Sequence, residues 1–335
     1  MNKNITMRDI ASALGVSAVT VSKALTDKDG VGPQLRQDIK QKAQEMGYRY
    51  HSLAKPVKEG KSYNLGVIIG AHFVDMDAYP YYIKMYQNII MCLSKRNYSG
   101  IIELVVAEML SSLIMPNVIA EKKVDGIIVL GQLPDNYLQK IRESGLPLIY
   151  MDFVDKNMEV ESVSVDNMYS SYLLTNYVVS MGHKKIAYVG NIEATTSILD
   201  RYLGYYRSLL VNHLEPRSDY LISDRGEDGM FKELKLPADM PTAFVCNCDE
   251  IAYVLMDRLK AMGYAIPADI SVVGFDNYTF AGYSSPKLTT VEVDMEAMSE
   301  AAVDSLLRKI ESNISGFERK VISGKLIIRD SVKRL

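Results

Sequence analysis

The sequence has no tryptophan, 3 cysteines and 4 histidines among its 335 residues, and each shortage excludes a class of protein. Cys92, Cys246 and Cys248 cannot build the disulfide framework of a small secreted domain. Cys246-Asn-Cys248 has one intervening residue, too few for a zinc hairpin, and no His–Cys cluster accompanies it. No metal site is therefore expected, and the thiols read as buried and free. His51, His72, His183 and His213 are scattered, and there is neither a nucleophile elbow nor a phosphate-cradling glycine loop. No catalytic residue is assigned and no cofactor is expected. No run of about 20 apolar residues exists, so a membrane span is not expected. The opening Met-Asn-Lys-Asn-Ile-Thr-Met-Arg-Asp lacks the apolar core of a signal peptide, and a cytoplasmic location is expected. Without tryptophan, the 22 tyrosines are the stacking surface available to a polar ring-shaped ligand.

What is present is an ordinary globular composition, 48% hydrophobic and 24% charged, with its charge unevenly spread. The first 61 residues carry 11 lysines and arginines against 6 acidic residues, whereas the remainder carries 27 against 35. A basic head on an acidic body suits DNA binding by one end. The head also has the local signals of a helix-turn-helix. Thr6 and Asp9 form a capping box, and a first helix runs through Ile10, Ala11 and Leu14. Gly15-Val16 supplies the turn, and Ser17 caps a second helix over 18–25. Ala11, Gly15 and Val21 are spaced as a tight two-helix corner requires. Ala18 and Val19 cannot both face the core, while Thr20, Ser22 and Lys23 form a polar face able to reach phosphates and base edges. Pro33 opens a third helix, Leu35, Ile39, Ala43 and Met46 space its core stripe, and Gly47 ends it. A helical hairpin with no DNA role is the competing reading; the polar second helix and the charge asymmetry weigh against it. Residues 1–50 are thus a headpiece. Residues 51–62, basic and poor in bulky apolar side chains, read as a linker, either a passive tether or a hinge that itself touches DNA.

From Leu65 onward short apolar strands alternate with amphipathic helices, twice over. The fold class is α/β: a three-helix helix-turn-helix headpiece followed by two doubly wound lobes. Together the lobes span 63–335. The first is expected to take in about 63–164 and 294–335, the second about 165–293. In open α/β sheets ligands sit beyond the carboxyl ends of the strands. That directs attention to Asp152, Asp249 and Asp276, each just after a strand, and to Arg201 near the start of a helix. Carboxylates accept from sugar hydroxyls, a guanidinium donates to them, and tyrosines cover the ring faces. An aspartate after a strand also reads as a helix N-cap, Asp249 above all, and Arg201 as one side of a surface ion pair. His72 follows the first sheet strand and reads either as cleft lining or as structural.

Residues 6–25 resemble the headpiece of the lactose repressor (LacI/GalR) family of bacterial transcription regulators. Further matches follow in order: Gly47-Tyr-Arg49, Leu65-Gly-Val-Ile68, Val124-Asp-Gly-Ile-Ile128, Val165-Asp-Asn167, Gly182-His-Lys-Lys-Ile186, Ile266-Pro-Ala-Asp-Ile-Ser-Val-Val-Gly-Phe-Asp276 and Leu288-Thr-Thr290. The resemblance implies lobes of periplasmic-binding-protein type that hold an effector between them, and a homodimer on a pseudo-palindromic operator. It places Ala18, Val19 and Lys23 at base-reading positions, with Ser17, Thr20 and Ser22 beside them. Ala18 and Val19 are able to touch thymine methyls but not to make bidentate hydrogen bonds, so discrimination is expected to lean on Lys23. Leu53 and Ala54 match the start of the family's hinge helix, Val57 stands in place of the wedging leucine, and Pro56 lies inside the expected helix, so that either the helix is shifted or the hinge is less stiff. Asp152, Arg201 and Asp276 match effector-contacting positions, and Cys248 replaces an asparagine beside the matching Asp249. The segment from Asp77 to Tyr82 resembles an Asn-Pro-Phe-Phe stretch, with Tyr79 and Tyr82 read either as ring-stacking residues or as lobe packing.

The expected function is a sequence-specific DNA-binding regulator, a repressor, controlled allosterically by a small sugar-like effector, with no membrane partner. The rival is a carbohydrate-binding protein or carbohydrate-active enzyme with an accessory helical domain, in which Asp152 and Asp276 act as acid and base. The chain has no room after its last expected strand for tetramer-forming leucine heptads, so a dimer is expected.

Overall fold

The computed structural model describes residues 5–25, 28–46, 48, 61–74, 81–157, 159–226, 229–312 and 317–335. Leu53, Ala54, Pro56, Val57, Tyr79 and Gly47 lie outside the described residues, and so does most of the expected hinge. The chain forms two compact units, Met1–Ser62 and Tyr63–Leu335.

In the first unit Thr6 caps α1 (Met7–Leu14) as the sequence predicts. The Asp9 amide donates to Thr6 Oγ1 at 3.4 Å, and the Thr6 amide donates to Asp9 Oδ2 at 2.7 Å. Gly15 ends the helix at φ 64°, a left-handed conformation that only glycine adopts without penalty. Ser17 accepts from the Thr20 amide at 3.0 Å and so caps α2 (Ala18–Leu25). α3 (Pro33–Glu45) starts on its proline. Ile10, Ala11, Val21, Ala24, Val31, Ile39 and Ala43 close a small core between the three helices.

The second unit begins with β1 (Asn64–Gly70), α4 (Tyr81–Lys95), β2 (Ser99–Val105), α5 (Ala107–Ser111), α6 (Asn117–Ala120), β3 (Gly126–Leu130), α7 (Asp135–Arg142), β4 (Leu148–Met151) and β5 (Glu161–Val165). It continues through α8 (Asn167–Ser180), β6 (Ile186–Val189), α9 (Thr196–Val211), β7 (Leu221–Ile222), β8 (Ala243–Cys246), α10 (Asp249–Ala261), β9 (Ser271–Val273) and α11 (Thr279–Tyr283). β10 (Thr290–Glu292), α12 (Met295–Ser312), β11 (Arg319–Ile322) and β12 (Lys325–Ile327) complete it. One sheet runs in the order β11-β5-β4-β3-β1-β2 and is parallel throughout. The other runs β7-β6-β8-β9 and is also parallel. Strands covered by helices on both faces must be apolar along their whole length, which is why Gly126–Leu130 and Ala243–Cys246 are buried at every residue.

The chain passes between the lobes three times, at β5 to α8, at β10 to α12, and at β11 to β12. β10 and β12 pair antiparallel, with Val291 opposite Leu326. The last crossing corrects the expectation that 294–335 belong to the first lobe. α12 packs on α4 and β11 joins the first sheet, but the final residues return to the second. The Val272 amide donates to Ser331 O at 3.0 Å and the Leu335 amide to Met181 O at 2.8 Å. His183, buried, accepts from Thr242 through Nδ1 at 2.9 Å and donates through Nε2 to Lys333 O at 3.1 Å. These bonds run through backbone atoms and polar side chains, so no hydrophobic periodicity announces them.

Candidate functional site: a two-lobed cleft and a helix-turn-helix face

Asp152 leaves β4 with φ 70° and Asp276 follows β9 with φ 105°. Non-glycine residues in this region carry strain of about 1–3 kcal/mol each, and such strain persists where a side chain must be aimed. Each aspartate stands at the carboxyl end of a parallel sheet, one per lobe, and each is only 6% exposed. Tyr82, in the first turn of α4, donates its hydroxyl to Asp152 Oδ2 at 2.9 Å. Among the described residues Asp152 Oδ1 makes no hydrogen bond, although it is fully buried. A buried acceptor left this way is costly unless a ligand or water meets it.

Arg201 lies on α9, whose register is set by Thr195 capping the Ile198 amide at 3.2 Å. Its Nη2 meets Asp276 Oδ1 at 3.2 Å, its Nε donates to Asn167 Oδ1 at 2.7 Å, and its Nη1 donates to Asn247 O at 2.5 Å. The guanidinium carbon sits 3.9 Å above the centre of the Phe275 ring. Burial opposes the Arg201 charge, but Asp276, Tyr81 and Asp152 together hold it protonated. Burial raises the pKa of Asp152 against the pull of Arg201 and Tyr82. Asp276 is pushed up to about 7, by burial first and also by Asp152, with Arg201 and Arg225 pulling it back. The two carboxyls and Arg201 therefore feel one another across the lobes.

Aromatic rings wall this cluster. His72 contacts Phe73 at 4.0 Å between ring centres, Phe73 contacts Tyr82 at 4.7 Å, and Tyr81 meets Tyr82 edge-on at 5.2 Å. Tyr81 also meets Tyr278 of the second lobe edge-on at 6.3 Å. His72 itself is exposed, at the outer end of the run. A second bridge between the lobes lies nearby: the Thr196 amide and hydroxyl both donate to Gln132 Oε1, at 3.0 and 3.2 Å.

Asp249 needs correction as an effector contact and as an N-cap. It is the first residue of α10, with Cys248 at the cap, and it is 0% exposed. Thr290 Oγ1 donates to its Oδ1 at 2.6 Å and the Tyr278 amide donates to its Oδ2 at 2.9 Å. Both oxygens are engaged in holding the loop after β9, so no edge faces a ligand. Cys248 has its Sγ 3.9 Å from Arg225 Nη2, and burial pushes its thiol up to about 12. Sequence reasoning missed Tyr81, Asn167, Asn247, Phe275 and Arg225 as members of the cluster. Asn167 and Phe275 carried a signal, each adjoining an aspartate in a quoted motif; Tyr81 lies within the Asp77–Tyr82 segment and Asn247 between the two cysteines, while Arg225 had none.

On the headpiece, Val19 is 66% exposed and Lys23 is exposed, whereas Val21 and Ala24 are buried. Ser17 is exposed, and Ala18, Thr20 and Ser22 are half-buried. α2 thus turns Val19 and Lys23, four residues apart on one face, away from the core. Among the described residues no group of His, Cys, Asp or Glu side chains is arranged to hold a metal ion. No helix among them is long and apolar enough to cross a membrane.

Comparison with known proteins matches residues 6–50 to "Bacterial regulatory proteins, lacI family" and residues 175–332 to "Periplasmic binding protein-like domain". The chain is 26% identical to the probable HTH-type transcriptional repressor ExuR of Bacillus subtilis (strain 168), over 99% of each chain. It is also 26% identical to the HTH-type transcriptional repressor CytR of Escherichia coli (strain K12), covering 98% of this chain and 97% of that one. Among solved structures, the lac repressor dimer bound to operator and the anti-inducer ONPF superposes with a TM-score of 0.79 at 20% identity, covering 99% of this chain and 100% of that one.

Proposed function

We propose that the chain is a DNA-binding transcriptional repressor of the LacI family whose hold on an operator is controlled by a small sugar-like effector bound between its lobes; the match of residues 6–50 to the lacI regulatory family and the 26% identity to the repressors ExuR and CytR along nearly the whole chain support the reading. The observation that carries the reading is the division of the cluster: Asp152 and Tyr82 come from one lobe, Arg201 and Asp276 from the other. A polyhydroxylated ligand that touches both halves binds one lobe arrangement better than the other, which is the differential affinity that control requires. Asp152 Oδ1 supplies an unoccupied acceptor for a hydroxyl, and Tyr81 and Tyr82 cover ring faces. Two copies, each presenting α2 to a major groove, read a pseudo-palindromic site, with Lys23 making the hydrogen-bonding contact and Ala18 and Val19 the apolar ones.

The test is selective retention of genomic DNA fragments by the purified protein at physiological salt, with and without a pool of sugars. Retention of a few palindromic fragments, altered by sugars, is expected. Uniform, salt-sensitive retention of all fragments overturns sequence-specific reading by the headpiece, and selective retention indifferent to every sugar overturns the sugar-like effector.

A further inference from the structure

The second lobe turns a nearly uncharged helix pair to solvent. α8 has 14 residues, and not one of them is Asp, Glu, Lys or Arg. Met168, Tyr169 and Leu173 on it are nevertheless exposed. α9 buries Ile198, Arg201, Tyr205 and Leu209 on one side. Its other side carries Leu199, Leu203, Tyr206 and Leu210; the three leucines are 38%, 41% and 52% exposed, and Tyr206 is half-buried. The two helices present one surface. Tyr169 stacks on Tyr172 at 6.0 Å between ring centres, and the Arg207 guanidinium carbon lies 4.9 Å over the Tyr172 ring. On the same lobe α10 places charge at outward positions, Asp257 and Lys260 among them. Apolar residues scattered singly over a surface need no explanation, but a contiguous patch across two helices marks an interaction site.

We propose that this face docks a second copy of the chain, through antiparallel packing of one α9 on the other. Leu199, Leu203, Tyr206 and Leu210 follow one another at intervals of 4, 3 and 4 residues, the spacing of a helix-on-helix seam. The intervals read the same from either end. A two-fold axis between Leu203 and Tyr206 therefore sets Leu199 against Leu210 of the partner subunit, and Leu203 against Tyr206 of the partner subunit. A seam that matches its own reverse is completed by a copy of itself. Charge selects the direction. Asp200 and Arg207 each follow a seam residue by one position and so flank the same side of it. Antiparallel helices bring Arg207 toward Asp200 of the partner subunit, twice over, whereas parallel helices set like charge on like. Arg207 is exposed, and Asp200, 3.8 Å from Arg319, keeps 32% of its side chain in solvent, so both can be reached. Arg201 is on the buried side of the helix, so the seam does not draw on the effector cleft.

Sedimentation equilibrium of the full-length protein over a concentration series tests this. Leu203→Glu puts an unpaired charge at the centre of the seam and is expected to halve the limiting mass, whatever other pairing the chain makes, because a two-fold contact joins copies in pairs. Leu210→Glu is expected to do the same from the end of the seam. Both leucines are exposed in the free chain, so both variants are expected to melt where the parent does. Arg207→Asp is expected to weaken association about 10-fold, and Asp200→Arg in the same chain to restore it, since reversing both charges re-forms each pair. That restoration separates a lost contact from a lost fold, because a second charge change does not rescue an unfolded chain. A limiting mass that neither glutamate changes overturns the proposal and leaves the face to a partner of another kind. Association lost on Arg207→Asp and not regained in the double variant overturns the antiparallel arrangement.

Discussion

At the scale of single residues, the cleft brings together groups that water would keep apart. Asp276 titrates about 7 because the folded protein withdraws it from solvent, and that has a consequence for stability. A carboxyl whose folded pKa is raised favours the folded state fully below its ordinary value of about 4, and that contribution is lost as the pH rises through about 7. Burial raises Asp152 and Asp249 in the same direction, whereas burial of His183 lowers its pKa and acts oppositely around its ordinary range. The difference between parent and Asp276→Asn isolates one group. Between about pH 5 and pH 8 the melting temperature of the parent is expected to fall more steeply than that of the variant, and parallel slopes would remove Asp276 as the titrating group. On the headpiece, Lys23→Ala is expected to weaken operator binding by about 1–3 kcal/mol and to relax preference at the base it meets, read by competition with variant operators. Unchanged preference would take Lys23 out of the reading set. Asp152, Asp276 and Arg201 were legible in the sequence because a polar residue at a strand end or an early helical turn has a predictable destination. The contact of Tyr81 with Tyr278 was not, since it depends on how one lobe meets the other.

At the scale of elements, the sequence reading was most accurate where several local signals coincide. α2 spans Ala18–Leu25 as expected because Ser17 caps it and its buried pair, Val21 and Ala24, has helical spacing. The long strands and helices of both lobes were found within a few residues. β7 and β10 were not: strands of two and three residues carry no readable period, and β10 exists because β12 returns to pair with it. The packing of α8 on α9 shows how a small residue decides an element's position. A Cβ on Gly204 would collide with the Met168 carbonyl and the Tyr172 amide of α8, backbone atoms that cannot give way. Gly204→Ala is expected to destabilise the second lobe by about 3 kcal/mol, seen as a lower urea midpoint for the full chain. A midpoint within error of the parent would mean the two helices separate more readily than their contact implies.

At the scale of the effector unit, three chain crossings join two lobes that also touch directly. Gln132 holds Thr196 by two hydrogen bonds, each worth about 1 kcal/mol, so it helps to hold the lobes in the arrangement seen here. Gln132→Ala is expected to enlarge the ligand-free radius of gyration in small-angle scattering and to weaken effector binding; an unchanged radius would place the hold on closure elsewhere. The alternation of strands and helices made the two-lobed plan readable. The third crossing was unreadable, because Ser331, Lys333 and Leu335 are held by backbone atoms and short polar side chains. That crossing has one more consequence. Tyr63 lies beside the first sheet, its carbonyl accepting from the Ser99 amide, and Leu335 bonds to Met181 at the end of α8 in the second lobe. Tyr63 and Leu335 thus lie on different lobes, so a swing that parts the lobes would change their separation, and a donor and acceptor dye on those two residues would read it.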